Sequence, residues 1–201
     1  MSWIKTIPFN KADSKLRSIY KRVKGPNDNI DNVLMIHGLR PHTLVGHMTL
    51  YKSVLHHSAN TLPKWYLECI GVYVSYLNNC DYCVEHHSAG LSRLLDDSKK
   101  EEQFFKALPN NTLDTFFDTK YLAGVHYAKK LTIVPSEMVK TDFTQLKEVG
   151  FTEGEILEIN QVTSYFNYVN RSVLGLGVDT RGDIIGLSPN ESDDVQNWNH
   201  S

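Results

Sequence analysis

The sequence predicts an all-α protein, and three observations support that prediction. Most segments repeat apolar residues every three or four positions, which is the period of a helix. Alternating apolar and polar residues bounded by tight turns, the pattern of a strand, are scarce. With 41% hydrophobic and 22% charged residues among 201, the chain can bury enough apolar surface to fold without disulfide bonds.

Capping residues and helix-breaking residues set the bounds of the predicted helices. Asp13 is a suitable N-cap for the first helix, and Pro41 and Pro63 can occupy first turns, where the missing N–H is not needed. Pro135 and Gly150 separate the later helices. The predicted helices span residues 11–24, 32–39, 41–57, 63–77, 80–95, 99–108, 113–131, 136–149 and 152–176.

Segment 65–77 is apolar on nearly all sides, so it predicts a central helix that its neighbours bury. A weak similarity links this helix to the last one. Its residues 67–68 and 75–78 resemble residues 157–158 and 164–167, with a slip of one residue between the two pairs. We therefore consider an internal helical duplication.

We expect residues 1–177 to form a single helical domain and residues 178–201 to be a polar C-terminal extension. The extension is rich in Asn, Asp, Ser and Gly, which predicts a loose attachment rather than a packed element. The apolar segments 44–55 and 113–131 carry more hydrophobic surface than one layer of neighbouring helices readily covers. This surplus predicts a homo-oligomer.

The charge balance excludes several classes of partner. A formal net charge of -2 and an isoelectric point near 6.5 give no basic surface for nucleic acid or anionic lipid. No run approaches the ~20 apolar residues that a membrane span needs, and residues 1–10 lack the apolar core of a signal peptide. The sequence therefore predicts a cytoplasmic protein that binds neither nucleic acid nor a membrane.

Cys80 and Cys83 form a C-x-x-C pair at the start of a predicted helix. Two thiols one turn apart can form and break a disulfide, and the positive end of the helix dipole favours their thiolates. His87 lies about 6 Å along the helix from Cys83 and about 10.5 Å from Cys80. The spacing favours His87 as the base for Cys83, whereas the dipole alone would favour Cys80.

Glu68 is the candidate partner of His87. It lies in the nearly all-apolar segment 65–77, where a carboxylate is costly unless it has a partner or a task. A carboxylate behind a histidine fixes its tautomer and stabilises its protonated form. If the central helix packs against the next one after the turn at Asn78 and Asn79, Glu68 can reach the cysteine face.

Glu68, Cys80, Cys83 and His87 together follow the pattern E-x11-C-x2-C-x3-H. This pattern resembles that of the alkylhydroperoxidase AhpD family, which belongs to the carboxymuconolactone decarboxylase superfamily. The resemblance implies an all-helical AhpD-like bundle, a homo-oligomer and thiol-dependent reduction of hydroperoxides without a bound cofactor. Cys83 would be the peroxide-attacking thiol, Cys80 the resolving thiol, and Glu68 with His87 the proton relay. The implied partners are a hydroperoxide substrate and a thiol or dithiol reductant.

The resemblance extends beyond the motif. Segments 78–87 and 164–171 are similar to the peroxidase-related branch of the family, and the helix order agrees over residues 3–176. The C-terminal extension is not covered. One departure is Tyr82, because the best-studied members carry a histidine between the two cysteines, and a second proton-handling group is thereby lost.

Two other functions stay open at this point. A decarboxylase or lactone enzyme of the same superfamily would work without redox cycling, and that chemistry has no use for a C-x-x-C pair. A metal-binding oligomeric module could use Cys80, Cys83 and either His86 or His87. Adjacent histidines on a helix point about 100° apart, so only one could join the cysteines, and no fourth ligand is evident.

The remaining polar and aromatic residues near the motif have ordinary structural explanations. We expect His86 to face solvent or an interface, and Cys69 to pack as a small apolar residue. Asn170 and Arg171 are expected to be structural. So are the other histidines of the first third of the chain, with His37 nearest to the pocket: His37, His42, His47, His56 and His57.

Overall fold

The structure is a computed structural model that describes residues 2–199, and this part of the chain is a bundle of α-helices without a β-sheet. The prediction of an all-α fold is confirmed. None of the described helices combines the length and the apolar composition needed to cross a membrane. The helices are α1 (Ser14–Val23), α2 (Asn32–Met35), α3 (Pro41–Leu55), α4 (Lys64–Leu77), α5 (Asp81–Leu95), α6 (Ser98–Asn110), α7 (Thr119–Ile133), α8 (Lys140–Glu148) and α9 (Glu153–Gly175).

Helix α4 lies at the centre of the bundle. Its residues 66–75 are all buried, and it packs against α5, α7 and α9. The nearly continuous apolar composition of this segment is explained by these neighbours on several sides. Helices α4 and α9 lie directly against each other, while a duplication relating them stays a prediction.

A second core lies between α1 and α3. Leu16 and Tyr20 of α1 pack with Leu44 and Met48 of α3, and all four side chains are buried. This part of the apolar stripe of α3 is therefore covered within the chain, whereas Leu50 of the same helix is 39% exposed. Large apolar side chains are exposed elsewhere, at Ile133, Val139, Leu157 and Leu174.

Side-chain caps set where helices begin. Asp13 caps α1 as predicted, because its carboxylate accepts a hydrogen bond from the amide of Leu16 at 2.8 Å. The helix predicted over 113–131 is wrong at its start. Asp118 accepts a hydrogen bond from the amide of Tyr121 at 2.9 Å, and this cap starts α7 after a separate short turn.

The described part of the C-terminal extension, residues 178–199, packs against the helices, so the expected loose attachment is wrong. Trp198 is 1% exposed, and the guanidinium of Arg22 lies 3.6 Å from the centre of its ring. The buried ammonium of Lys52 donates to the carbonyl of Asn190. Composition did not reveal this packing because backbone carbonyls and a few single side chains make it.

A glycine permits the close packing of α9 on α4. A Cβ atom at Gly71 would lie 2.2 Å from the ring of Phe166, so any larger residue would displace that ring. Phe166 is fully buried, and its ring contacts that of His87 with 4.6 Å between the ring centres. Gly71 therefore links the packing of the helices to the position of His87.

Gly71→Ala is expected to lower the free energy of unfolding by about 1–3 kcal/mol, because the added methyl group overpacks the contact with Phe166. Urea denaturation followed by circular dichroism measures the change. Gly46 is the matched control, since it is an exposed position of α3 where an added Cβ meets nothing within 4 Å. Gly46→Ala should raise stability by up to about 1 kcal/mol. Equal effects of the two substitutions would contradict the packing role of Gly71.

Candidate active site

A tight turn folds α5 back on α4 and positions the C-x-x-C pair. Asn79 has a φ of 55°, a left-handed conformation that ends α4, and the amide of Cys80 donates to the carbonyl of Ser75 at 2.9 Å. Cys80 is the N-cap residue of α5, and Cys83 lies in its first turn. The two thiols therefore lie at the positive end of the helix dipole, as the sequence predicts.

The two sulfur atoms are in direct contact. The Sγ atoms of Cys80 and Cys83 are 2.9 Å apart, and both thiols are free and buried. The hydrogen bond between them lowers the pKa of Cys80. The same bond, together with burial, raises the pKa of Cys83 well above its ordinary value. The pair thus loses its first proton readily and its second with difficulty, and the resting negative charge is favoured on Cys80.

A small cavity lies beside Cys83. Among the described residues, Cys83 lines this cavity and Cys80 does not. Its volume of about 60 Å³ has room for a few water molecules, far below the roughly 300 Å³ at which small-molecule pockets begin. A larger substrate can enter only when the walls move. Other lining residues include His47, Tyr51, Glu68, His86, His87, Tyr165 and Leu187.

The structure brings the predicted partners His87 and Glu68 together. Nδ1 of His87 lies 2.8 Å from Oε2 of Glu68, whose side chain is 3% exposed. The rings of Phe166 and Tyr51 meet the imidazole edge to face, and their centres lie 4.6 and 6.0 Å from its centre. Within residues 2–199, His87 forms no hydrogen bond to either sulfur. Proton transfer between them therefore needs a bridging water or substrate.

Asn170 of α9 touches the thiol site, which the sequence analysis missed. Its fully buried amide accepts a hydrogen bond from Asn78 at 2.9 Å and donates one to Ser75 Oγ at 3.0 Å. The hydrogen bond between the two thiols and their burial have the largest effects on the pKa values of Cys80 and Cys83, and a further hydrogen bond from Asn170 lowers the pKa of both. Segment 164–171 contributes to the family resemblance, but the resemblance assigns no role to Asn170.

His86 is buried, so the expectation that it faces solvent or an interface is wrong. Its ring stacks on that of Tyr82 with 4.6 Å between the centres, and its Nε2 lies 3.4 Å from Oδ2 of Asp183. The Tyr82 hydroxyl donates to the same oxygen at 2.6 Å rather than to a thiol. Burial, and then the charge of Asp183, raise the pKa of Tyr82. Asp183 lies in the polar extension, where no sequence signal distinguished it.

Aromatic rings form the other side of the cavity. Tyr51 and Tyr165 are stacked with 5.4 Å between their centres, and His47 lies 5.9 Å from Tyr165. Burial, assisted by the neighbouring His37, lowers the pKa of His47 to about 3, so this imidazole is neutral near pH 7. His47 lines the cavity. His37, which we expected nearest to the pocket, contacts the ring of His47 instead.

The four candidate zinc ligands do not converge on one point. His87 is hydrogen-bonded to Glu68, and Nε2 of His86 contacts the carboxylate of Asp183. In the part of the chain that the structure describes, no group of three or more His, Cys, Asp or Glu side chains is arranged to hold a metal ion.

Solved structures of similar architecture exist. The chain is similar to an alkylhydroperoxidase AhpD core, an uncharacterized peroxidase-related protein from Ralstonia eutropha JMP134, with a TM-score of 0.76 and 23% identity over 89% of this chain and 92% of that one. A peroxidase-related protein from Silicibacter sp. TM1040 gives 0.72 and 22%, over 90% and 95%. The debrominase Bmp8 in complex with 2,3,4-tribromopyrrole gives 0.64 and 19%, over 84% of each chain. This chain has the AhpD-like fold.

The AhpD-like fold that the resemblance implied is thereby confirmed.

 At 19–23% identity, the likeness to these structures is a likeness of architecture. No family model matches the sequence, and no curated protein matches it. What the AhpD-like fold contributes to the site is the antiparallel contact of α4 and α5, which places Glu68 beside His87.

The sulfur–sulfur hydrogen bond predicts how the thiols titrate. One thiolate should form below the ordinary thiol value of 9.0, and its ultraviolet absorbance should rise as the pH rises through that lowered pKa. In Cys80→Ala or Cys83→Ala the bond is absent, so the remaining thiol should ionise at a higher pH than this first step. Cys69→Ala is the control, since burial raises the pKa of Cys69 and its removal should leave the first step in place. If Cys80→Ala or Cys83→Ala still formed a thiolate at the lowered pKa, the hydrogen bond between the thiols would not be the cause of that pKa.

Proposed function

We propose that this protein is a thiol-dependent peroxidase that reduces hydroperoxides through a dithiol–disulfide cycle. The observation that carries the proposal is the contact of two free thiols, 2.9 Å apart, of which Cys83 lines a cavity shared with the His87–Glu68 pair. A nucleophile, a base and a group that orients the base thus lie around one space into which a small substrate could reach.

In the first step, the thiol proton of Cys83 passes to His87 through a bridging water, and Glu68 stabilises the imidazolium. The sulfur attacks the terminal oxygen of the hydroperoxide and the O–O bond breaks. Cys83 becomes a sulfenic acid and the alcohol leaves with a proton. The sulfur is oxidised by two electrons and the peroxide is reduced by two.

In the second step, the thiolate of Cys80 attacks the sulfenic sulfur of Cys83 and water leaves. The sulfur atoms need to approach from 2.9 Å to the roughly 2.05 Å of a disulfide, so little backbone movement is required. A thiol or dithiol reductant of unidentified structure then restores both thiols by exchange. The mechanism uses no bound cofactor.

The solved structures of similar architecture support a peroxidase-type reaction. Two of them are described as peroxidase-related, and one of these as an alkylhydroperoxidase AhpD core. The debrominase neighbour indicates that the same architecture also serves another reaction. A decarboxylase-type enzyme would have no use for the paired thiols, so we place it second. A homo-oligomer and a cytoplasmic location stay predictions; Leu157 and Leu174 are apolar residues on the exposed side of α9 that an oligomer could cover.

The order of the thiols is tested by mass spectrometry of peroxide-treated protein. Wild type is expected to consume one equivalent of peroxide and to end with a Cys80–Cys83 disulfide. Cys80→Ser should trap a sulfenic acid on Cys83, because no resolving thiol is present. Cys83→Ser should not react.

Cys69→Ala is the matched control, because this third thiol is buried in α4, outside the C-x-x-C pair, and its removal should leave the disulfide unchanged. Oxidation trapped on Cys80 in Cys83→Ser, with none on Cys83 in Cys80→Ser, would reverse the assignment. Absence of any reaction in wild type, with one zinc per chain by elemental analysis, would replace the redox proposal by the metal-binding one.

The proton relay is tested by the rate of the first step. His87→Ala is expected to lower the second-order rate constant with hydroperoxide on the order of a hundredfold, because the base is lost. Glu68→Gln should act in the same direction, since it removes the charge opposite Nδ1 of His87. Stopped-flow measurement of peroxide consumption gives both values. His126→Ala, at an exposed position of α7, is the control, and equal rates in all four proteins would rule out the relay.

A further inference from the structure

A second imidazole–carboxylate pair lies on the other side of Cys83. Successive residues of a helix are about 100° apart, so His87 lies about 40° to one side of Cys83 and His86 about 60° to the other. Both histidines line the cavity that Cys83 lines. Each also has its own carboxylate: Glu68 lies at 2.8 Å from His87, and Asp183 at 3.4 Å from His86.

Asp183 is held firmly in this position. Its side chain is 1% exposed, and it accepts hydrogen bonds from the amide of Asn32 at 3.0 Å and from the hydroxyl of Tyr82 at 2.6 Å. These donors are neutral, so His86 is the group in these contacts that can carry a compensating positive charge. A carboxylate beside one nitrogen of an imidazole orients the ring and fixes where its proton lies.

The ring of His86 stacks on that of Tyr82, but its polar atoms are not fully satisfied in the described residues. Its Nε2 is buried and has no hydrogen-bond partner there, because the contact with Asp183 is not aligned as a hydrogen bond. A small rotation of the ring would make that bond. With Nε2–H directed at Asp183, it is the imidazolium form of His86 that also carries a proton on Nδ1 and can donate it to a molecule in the cavity. A buried, uncommitted imidazole beside a reactive thiol is typical of a proton-transfer site.

We propose that His86 is a second catalytic residue, the acid that protonates the departing oxygen, and that Asp183 is its positioning residue. This inference rests on the proposed peroxidase function. As Cys83 sulfur bonds to the terminal oxygen of ROOH, the O–O bond breaks and the RO fragment takes the proton from Nδ1 of His86, leaving as ROH. The proton that His87 removed from the thiol returns to His86 through solvent, so the sum is thiol plus ROOH giving sulfenic acid plus ROH.

The two histidines therefore divide the proton transfers of one reaction. His87 takes a proton at the sulfur, and His86 gives one at the leaving oxygen. The C-terminal extension supplies Asp183, so it completes the site rather than merely covering it.

The test compares two peroxides with different leaving groups. Cumene hydroperoxide releases a strongly basic alkoxide, which needs an acid, whereas peroxyacetic acid releases a weakly basic carboxylate, which does not. His86→Gln is expected to lower the rate constant for Cys83 oxidation by cumene hydroperoxide on the order of a hundredfold. It should leave the rate with peroxyacetic acid unchanged. Stopped-flow fluorescence or quenched mass spectrometry measures both.

Asp183→Asn keeps an oxygen acceptor for Tyr82 and Asn32 but removes the charge. It should therefore lower the rate constant with cumene hydroperoxide but not with peroxyacetic acid, and by less than His86→Gln does. Asp183→Glu should recover part of the rate with cumene hydroperoxide. His126→Gln is the matched control at an exposed position and should change neither rate. Circular dichroism melting curves show whether each variant is folded.

Equal losses with both peroxides, or no loss with either, would overturn the role of His86. The first result would mean that the substitutions disturb the nucleophile, and the second that the leaving oxygen finds its proton elsewhere. If the wild type reacts with neither peroxide, the result is a separate one, because it would overturn the peroxidase function itself.

Discussion

The left-handed turn at Asn79 is the constraint on which the site depends. It reverses the chain so that α5 runs back along α4, and helix geometry then determines which residues meet. Glu68, in the first half of α4, comes opposite His87 in the middle of α5. The same turn leaves Cys80 at the N-cap, where its sulfur reaches Cys83. Asparagine tolerates this conformation better than most residues, so one backbone feature sets both the thiol pair and the proton relay.

Burial gives these polar groups their properties and also makes them costly. Buried carboxylates destabilise a protein unless other groups compensate their charge, and here each of Glu68 and Asp183 has an imidazole beside it. The low local dielectric strengthens these contacts, and aromatic rings hold His87 in place. The packing of Phe166 against Gly71 therefore belongs to the site as much as to the core. The paired carboxylates and the packed rings restrict the orientation of the imidazoles, which proton transfer requires.

The sequence was sufficient for the residues whose relation lies within one helix or one pattern. Cys83 and His87 were found from helical spacing, and Glu68 because a carboxylate stands out in an apolar helix. Asn170 and Asp183 were not found, because tertiary packing brings each from a distant segment and neither breaks the pattern of its own surroundings. An aspartate in a polar tail is ordinary by composition. For the same reason the fold class could be predicted, whereas the packing of the extension could not.

Charge and access favour different sulfurs of the pair, and this difference suits the two steps of the proposed cycle. The hydrogen bond favours the thiolate on Cys80, while the cavity is lined by Cys83. A thiolate that is out of reach cannot attack a peroxide, so the reacting thiolate is the one that forms on Cys83 when its proton passes to His87. Nucleophilicity rises with pKa, so the Cys83 thiolate is less populated but more reactive once formed. Cys80, which ionises more readily, is then ready to attack the sulfenic acid. The lowered pKa of Cys80 therefore fits a resolving thiol, and the raised pKa of Cys83 does not count against it as the attacking one.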